Sequence, residues 1–230
     1  DGRNPTWQGS LEVESEAELD QALDSLEQLE VDFIKIYDSK LNGRLFLSAL
    51  KKSKTRGFKS SGHMPFSVTL NQALDAGMNG VEHLYYILKG SSKDELEITK
   101  QFQSGALGFW QAIPLLINSY DDDKAQSLFN KLKQQEVFVI PTLYIGNTLS
   151  YLDEIDHSND EYLNSLSPSF KITYERRIKS ARNSSLETRA NRKKLDTLFG
   201  KLAIKLHESG VKLMAGSDAG AYNSYIYPGS

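Results

Sequence analysis

The sequence predicts an α/β protein organised around a parallel sheet, and three observations carry the prediction. Short β-rich runs of about four to seven residues alternate with amphipathic stretches of about ten to fifteen, the pattern of βαβ units. Helix caps and stop signals punctuate that alternation. The chain has 230 residues, of which 39% are hydrophobic, enough for one core of this class.

Taken in order, Ser15 is an N-cap for an acidic amphipathic helix running to about Leu29, with Leu19, Ala22, Leu23 and Leu26 on one stripe. Val31–Tyr37 is a β-rich run, apolar except at Asp32 and Lys35. A helix follows over about Gly43–Lys54, stopped by Arg56-Gly57, and Phe58–Gly62 is a weaker strand. Ser67 is placed to cap a helix carrying Leu70, Ala73 and Leu74, which Gly77 closes. Gly80–Leu84 is the next strand, and Ser91 or Ser92 starts a helix to about Ser104. Leu107–Ile113 reads as a further strand. Asp121–Asp123 begin a helix to Gln135, where the dipole favours their charge, and Val137–Leu143 is a strongly β-prone run.

Residues 147–209 break the rhythm: they are polar, charged and helix-prone, and read as a helical insertion of two or three helices. Acidic residues intersperse the basic ones there, which describes a solvated helical face better than an RNA-binding one. After Gly210, Val211–Ala215 is one more strand, followed by Gly216-Ser-Asp-Ala-Gly220. The chain opens on Asp1 and its last residues, Tyr225–Ser230, read as a loop in mid-course, so a fragment is the expectation.

Composition removes several function classes. With 27 basic and 30 acidic residues the net charge is −3, which provides no general attraction to nucleic acid or anionic membrane. No run approaches the roughly 18 apolar residues of a membrane span. The chain has no Cys, which excludes disulfides, thiolate metal sites and a Cys nucleophile. Imidazole chemistry must draw on four residues, His63, His83, His157 and His207.

Polar residues at strand ends are the candidates for chemistry, because in parallel α/β folds the loops after the strands carry the active site. His63 follows Gly62, His83 ends the Gly80–Leu84 strand, Asp218 follows the last strand, and Lys35 stands inside an apolar one. Two imidazoles and a carboxylate are a plausible set for a divalent ion such as zinc. Each also has a structural explanation: a lone strand-end His is more often hydrogen-bonded in place, Lys35 can snorkel or pair with Asp32 or Asp38, and Asp218 can cap a helix. Tyr85, Tyr86 and Tyr144 can line a pocket or simply pack. His157 and His207 lie among charged residues and read as surface groups.

The segments Asp32-Phe-Ile-Lys35-Ile-Tyr37, Ser61-Gly-His63-Met-Pro65, Gly80-Val-Glu-His83-Leu84 and Ala215-Gly-Ser-Asp218-Ala-Gly220 together resemble the amidohydrolase superfamily. Within it they are most similar to the branch of imidazolonepropionases and metal-dependent prolidases. The resemblance runs from Asp1 to Gly220 and is least in 147–209. It implies a partial (β/α)8 TIM-like barrel, roughly strands four to eight, as a single domain with the helical insertion inside it. It further implies a metal site of Lys35, carboxylated in many members, with His63, His83 and Asp218, where Asp218 also moves the proton of an attacking water. Val137–Leu143 would then be the seventh strand.

The implied activity is hydrolysis of a C–N bond in an amide, a cyclic amide or a dipeptide, with one or two divalent ions, zinc first among them. A small molecule or dipeptide is the expected partner, with no nucleic acid and no membrane span; an oligomer is compatible with the sequence. The sequence departs from the family in one respect: it contains no His-x-His, the pair that supplies two metal ligands on the first strand. The chain alone is therefore expected to bind metal weakly or not at all and to be inactive. The rival expectation is a non-catalytic α/β binding domain that kept the sheet and lost the metal site.

Overall fold

A computed structural model describes residues 1–5, 9–37, 41–157 and 159–218. The chain forms two compact units, one of residues 1–140 with 204–214, the other of residues 141–203 with the segment from 215 onward.

In the first unit α1 (Glu16–Gln28) begins where expected, with Ser15 and Glu18 forming a reciprocal capping box. It is followed by β1 (Phe33–Ile36), α2 (Gly43–Thr55, capped by Asn42) and β2 (Lys59–Gly62). Helix α3 (Leu70–Ala76) is capped by Thr69 with Gln72, not by Ser67, and closes at Gly77 with φ 111°. Strand β3 (Gly80–Val81) leads into a short helix α4 (Tyr85–Gly90), then α5 (Glu95–Gln103).

The expected strand over Leu107–Ile113 is instead helix α6, Phe109–Asn118. Its buried residues Ala112, Ile113 and Leu116 recur at helical spacing, and the Gln111 side chain accepts from the Gly108 N–H at 2.8 Å to hold its start. Helix α7 (Asp122–Gln134) is capped by Asp121, and β4 spans only Phe138–Val139 of the predicted Val137–Leu143 run. Strand β5 is Lys212–Leu213.

The five strands form one parallel sheet in sequential order β1-β2-β3-β4-β5. In β1 and β2 one face is covered and the other more open, whereas both residues of β3 are buried. Ile34 and Ile36 of β1 are buried, while Phe33 and Lys35, pointing the other way, are exposed; β2 repeats the alternation with Ser60 and Gly62 buried. Under the covered face and between the helices, Phe46, Leu50, Leu70, Leu84, Ile87 and Leu88 are almost wholly removed from water. Each such side chain contributes about 1.5–3 kcal/mol of transfer free energy.

The second unit is helical: α8 (Leu143–Ser150), a 3₁₀ turn over Glu161–Ser165, α9 (Pro168–Arg182) and most of α10 (Leu186–Glu208), whose end from Ile204 belongs to the first unit. Ile145 and Tyr174 centre a small cluster there with Leu149, Leu163 and Ile178. Arg189 pairs with Asp153, and Asn147 donates to Asp196. Among the described residues no helix is long and apolar enough to cross a membrane.

Candidate active site

The ends of the first three strands bring Lys35, His63 and His83 into one neighbourhood. Lys35 is on the open face of β1, in register with Ser61 of β2. The Lys35 ammonium lies 3.5 Å from a carboxylate oxygen of Glu82, and the Ser61 hydroxyl donates to the same oxygen at 3.1 Å. These three polar groups form a short row across β1, β2 and the end of β3. Asp32 does not appear in that row, and Asp38 lies outside the described residues.

His63 follows directly. Its backbone N–H donates to the Ile36 carbonyl at 3.0 Å, carrying the β1–β2 ladder one step past the strand. Its ring centroid is 4.7 Å from that of His83 and 4.6 Å from that of Tyr37, with Tyr86 at 6.3 Å. Burial, then the charges of His83 and Lys35, lower the His63 pKa from 6.5 to about 3, so the ring is neutral at neutral pH. Its Nδ1 is buried and has no hydrogen-bond partner among the described residues. A neutral imidazole nitrogen with a free lone pair is what a borderline metal or a proton donor takes up.

One of these residues has left-handed backbone: His83, of the first unit, has φ 44° two residues after β3. Thr142 (φ 47°) and Asp218 (φ 51°) of the second unit, and Asn4, Glu30 and Glu136, are left-handed as well. Left-handed backbone is costly for non-glycine residues, most of all for a β-branched one such as Thr142, and such positions gather at functional sites. Gly62, before His63, has φ 141° and sits so close to β1 that a Cβ there would lie 1.9 Å from the Ile36 carbonyl oxygen.

Of the remaining expected site residues, Asp218 belongs to the second unit and is exposed, and Gly220 lies outside the described residues. Tyr86 is buried beside His63, Tyr85 packs against Phe109 with ring centroids 5.2 Å apart, and Tyr144 is exposed in the second unit. His207 is exposed as expected. His157 is not a surface group: it is 8% exposed, and its Nδ1 lies 2.8 Å from a carboxylate oxygen of Asp160. Sequence reasoning passed over Glu82 and Tyr37; Glu82 shares the face of Lys35 by strand alternation, a signal that needs the register to be known.

The two imidazoles lie side by side, with ring centroids 4.7 Å apart. Among the described residues, however, no group of three or more His, Cys, Asp or Glu side chains is placed to hold a metal ion. Lys35, in its ion pair with Glu82, is a cation beside that pair and would become an oxygen donor only as a carbamate.

No protein-family model and no curated protein sequence matches the chain. Among solved structures, a bottromycin amidohydrolase is similar to it with a TM-score of 0.60 and 19% identity, covering 92% of this chain and 42% of its own. A Xaa-Pro dipeptidase solved with methionine in its active site gives a TM-score of 0.46 at 14% identity, covering 90% of this chain and 39% of that one. At such identities the first of these likenesses is one of fold. The chain spans well under half the length of either protein.

Proposed function

We propose that this chain is one sector of an amidohydrolase-type (β/α)8 barrel, strands four to eight with residues 147–209 as an insertion, and that the complete protein hydrolyses C–N bonds. The observation that carries the proposal is the His63–His83 pair, with the buried, unpartnered His63 Nδ1, at the carboxyl ends of a sequentially ordered parallel sheet. Sequential order supports a barrel sector because each crossover moves the chain one strand in the same direction. With the usual right-handed connections this leaves helices on one face only, in keeping with the burial alternation of β1 and β2. The fold shared with an amidohydrolase adds support.

In this proposal His63 and His83 hold a divalent metal, zinc first among the choices, through their imidazole nitrogens, Lys35 through a carbamate oxygen and Asp218 through its carboxylate. When bound, such an ion supplies an activated water and polarises the scissile carbonyl. Asp218 accepts a proton from the attacking water and returns it to the leaving nitrogen, as general base and then general acid. Before carboxylation Glu82, itself bonded by the Ser61 hydroxyl, holds the Lys35 ammonium at the site by an ion pair, which the carbamate would give up. The substrate is an amide, a cyclic amide or a dipeptide, and whether one or two ions serve depends on carboxylation of Lys35.

The chain alone lacks a His-x-His pair, so its metal binding is expected to be weak and its turnover absent. Elemental analysis and Co²⁺ titration of the 230-residue chain test this. Weak binding, lost in both His63→Ala and His83→Ala, is the expected result. One or two tightly held equivalents with turnover on amide substrates would overturn the inactivity, and binding indifferent to both substitutions would overturn the site. A non-catalytic binding domain is the second reading. It draws support from the lack of a three-donor group among the described residues, and a longer chain with His-x-His upstream that remains inactive with zinc would favour it.

A further inference from the structure

We infer that the first unit holds a binding site for a small neutral alcohol or phenol in an apolar cavity bounded by α1, β1 and α2. The cavity measures 240 Å³ and is walled by Leu19 and Leu23 of α1, Ile34 and Ile36 of β1 and Leu45 of α2, with Ser53 of α2 also lining it. Neither His63 nor His83 lines it; Lys35, at its edge on β1, is the one residue it shares with the proposed hydrolase site.

Three properties point to a ligand of that class. The walls are set in place by the fold, since all five apolar residues are less than 10% exposed, and Lys52 ties α2 to Glu16 and Asp20 of α1. The space is large enough: an engineered void of about 150 Å³ lined by similar side chains stays dry and takes up benzene, so this one suits about ten heavy atoms. Its lining also holds polar atoms in need of a partner. Ser53 is 0% exposed, and its hydroxyl has no hydrogen-bond partner among the described residues. The Asp1 carboxylate, at the cavity as well, has one buried oxygen in the same condition. Buried polar atoms without partners are costly, and a ligand hydroxyl that gains access to them by a small shift of the lining side chains can donate or accept to relieve them. The lining carries charge of both signs, the Asp1 carboxylate beside the Asp1 α-amino group and Lys35, so a neutral ligand is the one that leaves that balance undisturbed.

The test is a titration of the 230-residue chain with p-cresol and with toluene, followed by backbone amide NMR shifts. Saturable shifts at Leu19, Leu23 and Ser53 are expected, with p-cresol bound about tenfold more tightly than toluene because one ligand hydrogen bond is made to an otherwise unpartnered group. Ser53→Ala is expected to erase that preference, leave toluene binding in place and raise the melting temperature of the ligand-free chain. Ala49→Phe, which projects a ring into the space, is expected to abolish binding of both probes. The native amide spectrum shows whether that variant folds, and Ser53→Ala decides independently of it. The inference is overturned by absence of saturable shifts with either probe, or by equal affinity for the two in the native chain. A preference that survives Ser53→Ala, or shifts that follow protein concentration because a second copy covers the cavity, would overturn it equally.

Discussion

Gly62 is fixed by geometry on both sides: its φ of 141° disfavours any side chain, and a methyl there would meet the Ile36 carbonyl oxygen at 1.9 Å. Gly62→Ala is expected to destabilise the fold by roughly 3 kcal/mol in urea titrations, and to disturb the His63 ring because that residue is next in the chain. Lys89 permits a second test. It is 0% exposed, with its ammonium donating to the Val68 carbonyl and the Thr99 hydroxyl at 2.8 Å each. Burial, partly offset by Glu95, lowers its pKa from 10.5 to about 8. Between those values the unfolded chain keeps a proton that the folded chain has released, so unfolding takes up a proton and becomes harder as pH rises. Stability is therefore expected to rise from pH 8 to pH 10.5 by about 3 kcal/mol relative to Lys89→Met, and parallel denaturation curves at the two pH values would measure the difference. At this scale Lys35, His63 and His83 were legible because each is a polar residue in or beside an apolar run. Glu82 and Ser61 were not, because their meaning comes from which residue each faces across the sheet.

The elements were legible where they are amphipathic. Helices α1, α2 and α7 each carry an apolar stripe and a polar face, with Ser15, Asn42 and Asp121 as their caps. Helix α4 was missed for a physical reason. Tyr86, Ile87, Leu88 and Lys89 are all buried, so the segment is covered on every side and shows no periodicity. The α6 segment misled in a related way, since an apolar, aromatic-rich run of that length suits a buried strand as well as a helix. Strands β3, β4 and β5 are two residues each and owe their order to contacts rather than to propensity. Asn79 supplies several: its side chain accepts from the Ser60 N–H at 2.9 Å, its N–H donates to the Ser60 carbonyl, and its own carbonyl accepts from Phe138. Asn79→Ala leaves the buried Ser60 N–H unpaired. It is expected to cost about 1–3 kcal/mol and to speed amide exchange at Ser60, both measurable on the purified chain.

For the whole molecule, fold class was legible from the alternation of short strands and helices, and the structure gives that alternation as a five-stranded parallel sheet. The His-x-His absence was equally plain in the sequence, as was the change of character over residues 147–209, whereas the bounds of the two units rest on which helices touch. The sequential strand order also has a kinetic side. Strands β1 to β3 are joined through one helix each and β3 to β4 through four helices over residues 82–137, whereas the chain between β4 and β5 runs through residues 140–211, the longest of the links, before it returns to the sheet. Closing a longer loop costs little more in free energy, about 0.6 kcal/mol for each doubling of its length, but the contact must wait for the ends to meet. The sheet is therefore expected to zip from β1 toward β4 and to receive β5 last. Pulsed hydrogen-exchange labelling during refolding would show this as late protection of Met214, whose N–H donates to the Val139 carbonyl at 2.9 Å.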